Sequence, residues 1–177
     1  FSQLRTTDMV GIGRGSYGIR IDHPQEDQFR SQWHQEFLFQ PQSIDGVVIW
    51  TPLVPVKKDM GPVTICVNSH KDGLRKYKKG GQYSNKTGAY TIGLNNEDDV
   101  VSRYQQVAPL TNPGDLMIID FLTIHQSGIN LSNKSRWSIQ SRFFNFRDPI
   151  GVRIGWKPSV TAGSDIESIF PEAFCEE

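Results

Sequence analysis

Only two cysteines, Cys66 and Cys175, occur in the 177 residues, and they sit far apart in unlike surroundings, so no disulfide framework is indicated. That usage fits a reducing compartment. No apolar run approaches the length a bilayer-spanning helix needs, and Phe1-Ser2-Gln3-Leu4-Arg5 lacks the charge-then-apolar order of a signal peptide. The expected location is therefore intracellular, in the cytoplasm, with no membrane partner. An excess of one charge is missing too: 19 basic and 19 acidic side chains cancel. The cluster Lys71, Arg75, Lys76, Lys78, Lys79 reads as a solvated face, and no nucleic-acid partner is expected. Helical periodicity is scarce and no internal repeat is visible. Gly11-Ile12-Gly13-Arg14-Gly15 has no strand-then-helix setting, so it reads as a turn and not a phosphate cradle.

What is present is a series of short apolar, β-branched runs bounded by Gly, Pro, Asn and Asp. Strands are expected at Tyr17–Asp22, Trp33–Phe39, Gly46–Leu53, Val63–Asn68, Tyr104–Leu110, Asp115–Asp120, Thr123–Gly128 and Arg136–Arg147. One helix is expected from Pro24 to Gln32, where Glu26 and Asp27 follow the proline. The fold class is thus mainly β: a double-stranded β-helix of the jelly-roll or cupin type, with few helices. The length fits one domain, residues 1–177, with 150–177 as a C-terminal tail packed outside or mobile. Residue 1 is Phe rather than Met, and part of an N-terminal region is expected to be missing. The polar stretch from Ser69 to Ser102 reads as a lid-like loop, or equally as a plain insertion. The sequons at Asn85, Asn130 and Asn133 read as coincidence in a chain without an export signal.

There are only four histidines. His34 and Glu36 lie two apart, so on a strand they would project to one face, with Gln35 turned away. His125 follows the apolar run Leu116–Ile119 and could complete a site of two imidazoles and one carboxylate. A lone His in an apolar strand is more often a hydrogen-bonded core residue than a ligand. The pairing changes that reading, because two His and one carboxylate on one face of an octahedron leave positions open, as in non-haem Fe(II) oxygenases. Arg136, eleven positions after His125, opens a strand and would meet an anion if it points inward. A dicarboxylate could bind between the metal and Arg136, helped by the Ser127 hydroxyl on the His125 face. The plainer alternative pairs Arg136 with Asp115 or Asp120.

These residues sit in a larger order. Trp33-His34-Gln35-Glu36, Gly61-Pro62, Asn68-Ser69-His70-Lys71, Pro113-Gly114-Asp115, His125-Gln126-Ser127-Gly128-Ile129-Asn130, Ser132 and Arg136 together resemble the phytanoyl-CoA dioxygenase family over roughly residues 17 to 147. The resemblance implies an Fe(II)- and 2-oxoglutarate-dependent dioxygenase that consumes O2 and hydroxylates a small organic substrate while 2-oxoglutarate becomes succinate. His34, Glu36 and His125 would then bind iron, Arg136 and Ser127 would hold the co-substrate's far carboxylate, and Trp50 would line the site. His70 matches a motif position without being a ligand, and Arg20 is a candidate second co-substrate contact with a surface role as its alternative. Glu36 departs from the Asp usual in the family; its extra methylene shifts the carboxylate by one bond. A halogenase is disfavoured, because the carboxylate position is not vacated. Two other readings stay open: a β-barrel binding protein that has lost turnover, and a β-sandwich with incidental histidines. The prime substrate and oligomeric state are not legible.

Overall fold

The computed structural model describes residues 2–5, 7–13, 17–86, 88–160 and 163–174. Cys175, the sequon residue Thr87 and the Arg14-Gly15 end of the glycine run lie outside them. The strands are β1 (Val10–Gly11), β2 (Tyr17–Asp22), β3 (Gly46–Pro52), β4 (Val63–Cys66), β5 (Tyr77–Lys79), β6 (Ile92–Leu94), β7 (Gln106–Val107), β8 (Met117–Asp120), β9 (His125–Ser127) and β10 (Arg136–Asn145). The short helices are α1 (Ser2–Arg5), α2 (Glu97–Ser102), α3 (Pro149–Ile154) and α4 (Ile166–Ile169). No helix among the described residues is long and apolar enough to cross a membrane.

Two antiparallel sheets build the barrel. In the larger, β10 pairs with β3, and β3 with β8, while β1 and β2 share the other edge of β10. The β10 register opposes Arg136 to Asp22 and Gln140 to both Gly18 and Trp50. Strand alternation then sends Arg136, Ser138, Gln140, Arg142 and Phe144 to one face and Trp137 and Ile139 to the other. The smaller sheet runs β7-β4-β9. Val48, Trp50, Ile119 and Phe144 of the larger sheet, with Phe121 just past β8, pack with Val63 of the smaller in one buried cluster. A second cluster joins Trp33, Phe37, Leu38, Cys66, Tyr77, Leu94 and Ile124 to Ile166, Phe170 and Phe174.

The mainly β, double-stranded β-helix expectation holds, and β2 spans the expected residues. Trp33–Phe39 is not a strand. Only His34 is bridged, to His125, and the chain then folds into a 3-10 turn at Glu36–Leu38. No helix forms at 24–32 either: Gln25 adopts φ 58°, a left-handed conformation that stops a helix after Pro24. The stretch 69–102 is no bare lid. It carries the hairpin of β5 and β6, and α2, whose first turn holds Glu97, Asp98 and Asp99 where the helix dipole favours acids. Within 150–177, Ile166 and Phe170, spaced four apart on α4 and its cap, are buried in the second cluster, while Val152 and Trp156 are exposed. Of the basic cluster, Arg75 pairs with Asp72 and Lys79 with Glu167.

Motif residues outside the ligand positions brace the fold. Gly61, at φ 65°, lies so close to Gly128 that a Cβ on it would fall 2.3 Å from the Gly128 carbonyl oxygen. Ser69 donates to the Cys66 carbonyl (2.9 Å) and accepts from the Ile124 N–H (2.8 Å), fastening the stretch before His125. Asn130 is buried, and its amide donates to the Asp22 and Lys134 carbonyls, leaving no room for a glycan there.

Candidate metal centre and cavity

His34 and His125 exchange both backbone hydrogen bonds, each N–H to the other's carbonyl at 3.0 Å. Such a pair faces its side chains the same way across the two segments, and the two rings lie 4.2 Å apart, tilted by 50°. Glu36 arrives differently from the strand alternation expected of it. The turn that begins at Glu36 is anchored by its N–H on the Phe121 carbonyl (2.8 Å), and this swings the carboxylate back toward the imidazoles. Gln35 does point away, its amide donating to the Gly73 and Leu122 carbonyls. Glu36 Oε2 lies 3.8 Å from His34 Nε2 and 3.7 Å from His125 Nε2. Among the described residues, this is the group of three His, Cys, Asp or Glu side chains placed to hold a metal ion, and all three are buried.

The hydrogen bonds behind the ligand atoms fit that role. His34 Nδ1 donates to the Gln32 carbonyl (2.6 Å) and His125 Nδ1 to the Thr123 carbonyl (2.8 Å). A carbonyl accepts only from a protonated nitrogen, so each Nδ1 keeps its hydrogen and each Nε2 is the nitrogen turned toward Glu36. Burial, and then the neighbouring His34, push His125 down to about 3 against the pull of Glu36, so it is neutral at physiological pH. Burial would raise the Glu36 carboxyl, but Arg142 and the imidazoles outweigh it and hold the group at about 2. Two imidazoles that keep their Nδ1 hydrogens on backbone carbonyls, and a carboxylate, all converging on one point, suit a divalent cation of the Fe(II) type.

The triad opens into a cavity of about 440 Å³. Trp50 and Ser127 line it, as does Arg20. Arg136 does not line it. That guanidinium is fully buried and pairs with Asp22, Nη2 to Oδ2 at 2.7 Å, and not with Asp115 or Asp120. Asp22 is shared with Arg20, whose Nη2 lies 2.8 Å from Oδ1; Arg20 also donates to Ser31 Oγ and the Phe29 carbonyl. Two guanidinium charges thus meet one carboxylate, leaving a net positive charge in the interior. Burial lowers Arg136 below its ordinary value despite Asp22. Its Nη1 has no hydrogen-bond partner, and neither has the buried Ser138 Oγ two residues along the same face of β10. His70 is outside the cavity lining.

Sequence reasoning missed Arg142, Gln140 and Tyr90, which also line the cavity. Arg142 donates from Nε to Glu36 Oε1 at 2.8 Å. The signal was available, since Arg136, Ser138, Gln140 and Arg142 alternate along one strand. Tyr90 comes from the stretch read as a lid and packs its ring 6.2 Å from Phe39.

A jelly-roll barrel with two imidazoles and a carboxylate lining its cavity defines the class of non-haem metal oxygenase folds. The family model described as phytanoyl-CoA dioxygenase (PhyH) matches residues 20–138, and the chain belongs to that family. No curated protein matches it significantly. Among solved structures it is similar to the non-heme alpha ketoglutarate dependent epimerase SnoN from nogalamycin biosynthesis, at 14% identity and TM-score 0.59, over 81% of this chain and 50% of that one. It is also similar to EvdO2 from Micromonospora carbonacea var. aurantiaca complexed with 2-oxoglutarate (18% identity, TM-score 0.55, 74% and 53% covered). EctD from S. alaskensis with bound Fe matches at 14% identity and TM-score 0.57, over 86% of this chain and 49% of that one. The chain spans about half the length of these structures.

Proposed function

We propose that this chain carries the catalytic barrel of an Fe(II)- and 2-oxoglutarate-dependent dioxygenase that hydroxylates a small organic substrate with O2. The observation that carries the reading is the convergence of His34 Nε2, His125 Nε2 and Glu36 Oε2, with both Nδ1 atoms already committed to carbonyls. Bound there, Fe(II) would supply oxygen activation coupled to conversion of 2-oxoglutarate into succinate. His34, Glu36 and His125 would hold the metal. Arg136 Nη1 and Ser138 Oγ are donors without partners next to a net positive charge, which suits the far carboxylate of the co-substrate. Ser127, two residues past His125 on its face, is a further hydroxyl for that carboxylate, and Trp50 walls the cavity. Asp22 holds Arg136 by Nε and Nη2, so that Nη1 is the nitrogen left for a ligand. The similarity to EvdO2 complexed with 2-oxoglutarate and EctD with bound Fe supports the same assignment.

The ion pair of Glu36 with Arg142 favours a second reading: a binding protein of the same fold in which the acid is too engaged to support turnover. Succinate formation separates the two. The purified chain, supplied with Fe(II), ascorbate, O2 and 2-oxoglutarate, is expected to release succinate slowly even without a prime substrate, and His125→Ala to abolish it. Binding of Mn(II) and 2-oxoglutarate with no succinate at all would favour the binding protein; Mn(II) affinity unchanged in His125→Ala would refute a shared metal site.

A further inference from the structure

The Glu36 carboxylate divides its oxygens between two duties. Oε1 accepts from Arg142 Nε at 2.8 Å, while Oε2 faces the two imidazole Nε2 atoms at 3.8 and 3.7 Å. Arg142 is itself steadied by Gln140, which accepts from its Nη2 at 2.5 Å. Both residues project from the inner face of β10, and both line the cavity. Glu36, by contrast, stands on a one-turn 3-10 segment outside the sheets. A glutamate has three side-chain torsions, and backbone anchoring alone leaves them free to turn the carboxylate away from the imidazoles. A guanidinium N–H on one oxygen fixes both the reach and the plane of the group, and so aims the second oxygen.

We propose that Arg142 is a positioning residue for the metal site: it clamps Glu36 Oε1 so that Oε2 is presented to the ion, and this clamp is what lets a glutamate serve at this place. The proposal rests on the reading of His34, Glu36 and His125 as a metal site. Arg142 touches the carboxylate, not the ion, and acts as an outer partner that orders the ligand before the metal arrives. An aspartate here would be shorter by one carbon-carbon bond, about 1.5 Å. It could not keep the Arg142 contact and the imidazole-facing position together. Arg142 and the length of the acid are therefore coupled.

The test is Mn(II) affinity by electron paramagnetic resonance, with the visible spectrum of the Co(II)-loaded chain as a readout of ligand arrangement. Four chains are compared: the parent, Arg142→Met, Glu36→Asp and the double variant. Arg142→Met is expected to weaken Mn(II) binding about tenfold or more and to alter the Co(II) spectrum. In the Glu36→Asp background the same change is expected to cost much less, because the clamp is already broken. Arg142→Lys, which keeps charge and one donor without the planar fork, is expected to fall between Arg142→Met and the parent. Parent-like or tighter Mn(II) binding in Arg142→Met, or an equal loss in both backgrounds, overturns the proposal. If Arg142→Met cannot be purified folded, Arg142→Lys carries the test: weaker binding than the parent supports the clamp, and equal binding overturns it. A parent chain that binds no Mn(II) overturns the metal-site reading along with the clamp, whereas tight binding indifferent to Arg142 overturns the clamp alone.

Discussion

Gln35, the residue between the first two metal-site side chains, offers a sharp test of how the site is held. Its side chain is fully buried and makes four hydrogen bonds. Nε2 donates to the Gly73 (2.8 Å) and Leu122 (2.7 Å) carbonyls, and Oε1 accepts from the Arg75 N–H (2.7 Å) and the Tyr77 hydroxyl (2.9 Å). The amide thus ties the His34–Glu36 segment to the 73–77 stretch on one side and to the approach to His125 on the other. Gln35→Met keeps the side chain's length while removing all four bonds. At about 1 kcal/mol net per bond, the loss is about 4 kcal/mol, a large share of the stability of an ordinary domain. The Tyr77 hydroxyl, stranded in a fully buried residue, adds to that cost. Urea denaturation followed by circular dichroism reads the change as a lower midpoint at nearly constant slope. Adding Tyr77→Phe removes the stranded hydroxyl and should return about 1 kcal/mol. A loss in Gln35→Met below about 1 kcal/mol, or no recovery in the double variant, would refute the view that this amide network organises the site.

Arg136→Met should weaken 2-oxoglutarate binding by about 2–3 kcal/mol, as calorimetry on the Mn(II)-loaded chain would show, and Ser138→Ala by about 1 kcal/mol, both leaving Mn(II) affinity near the parent's; co-substrate affinity indifferent to both would remove these donors from the site. Asp148 caps α3 by accepting from the Ile150 and Gly151 N–H groups at 3.3 Å, and it also takes the Ile44 N–H at 2.8 Å. Asp148→Ala should therefore cost about 2 kcal/mol in urea denaturation, and a cost near zero would contradict the cap. Burial pushes the Cys66 thiol up to about 11, so iodoacetamide at pH 8 should leave the Cys66 peptide unlabelled until urea is added; labelling as fast in the folded chain as in urea would contradict its burial.

The parts of this fold that could be read in advance are those where one strand carries its own pattern. Gly46–Pro52 is a β-branched run between two neighbours, and Arg136–Asn145 opens on the alternation Arg136-Trp137-Ser138-Ile139, so both announce themselves. The hairpin of Tyr77–Lys79 and Ile92–Leu94 does not, because three-residue strands are too short to show a period. The His-x-Glu spacing led to the right neighbours for the wrong local reason: a bridge and a 3-10 turn, not a continuous strand, bring them together. Arg136 found Asp22, 114 positions away, because the register of β10 on β2 sets them opposite, and nothing local encodes that register. Arg142 was legible as the fourth alternate residue of β10. Its partner Glu36 was not, since the pairing depends on a turn the sequence does not advertise.

The most direct test of the central claim is a crystal of the chain grown with Mn(II), with anomalous scattering recorded to locate the ion. The account predicts one peak at about 2 Å from His34 Nε2, His125 Nε2 and Glu36 Oε2, with Arg142 still on Glu36 Oε1. A peak elsewhere, or none in crystals saturated with Mn(II), would contradict it.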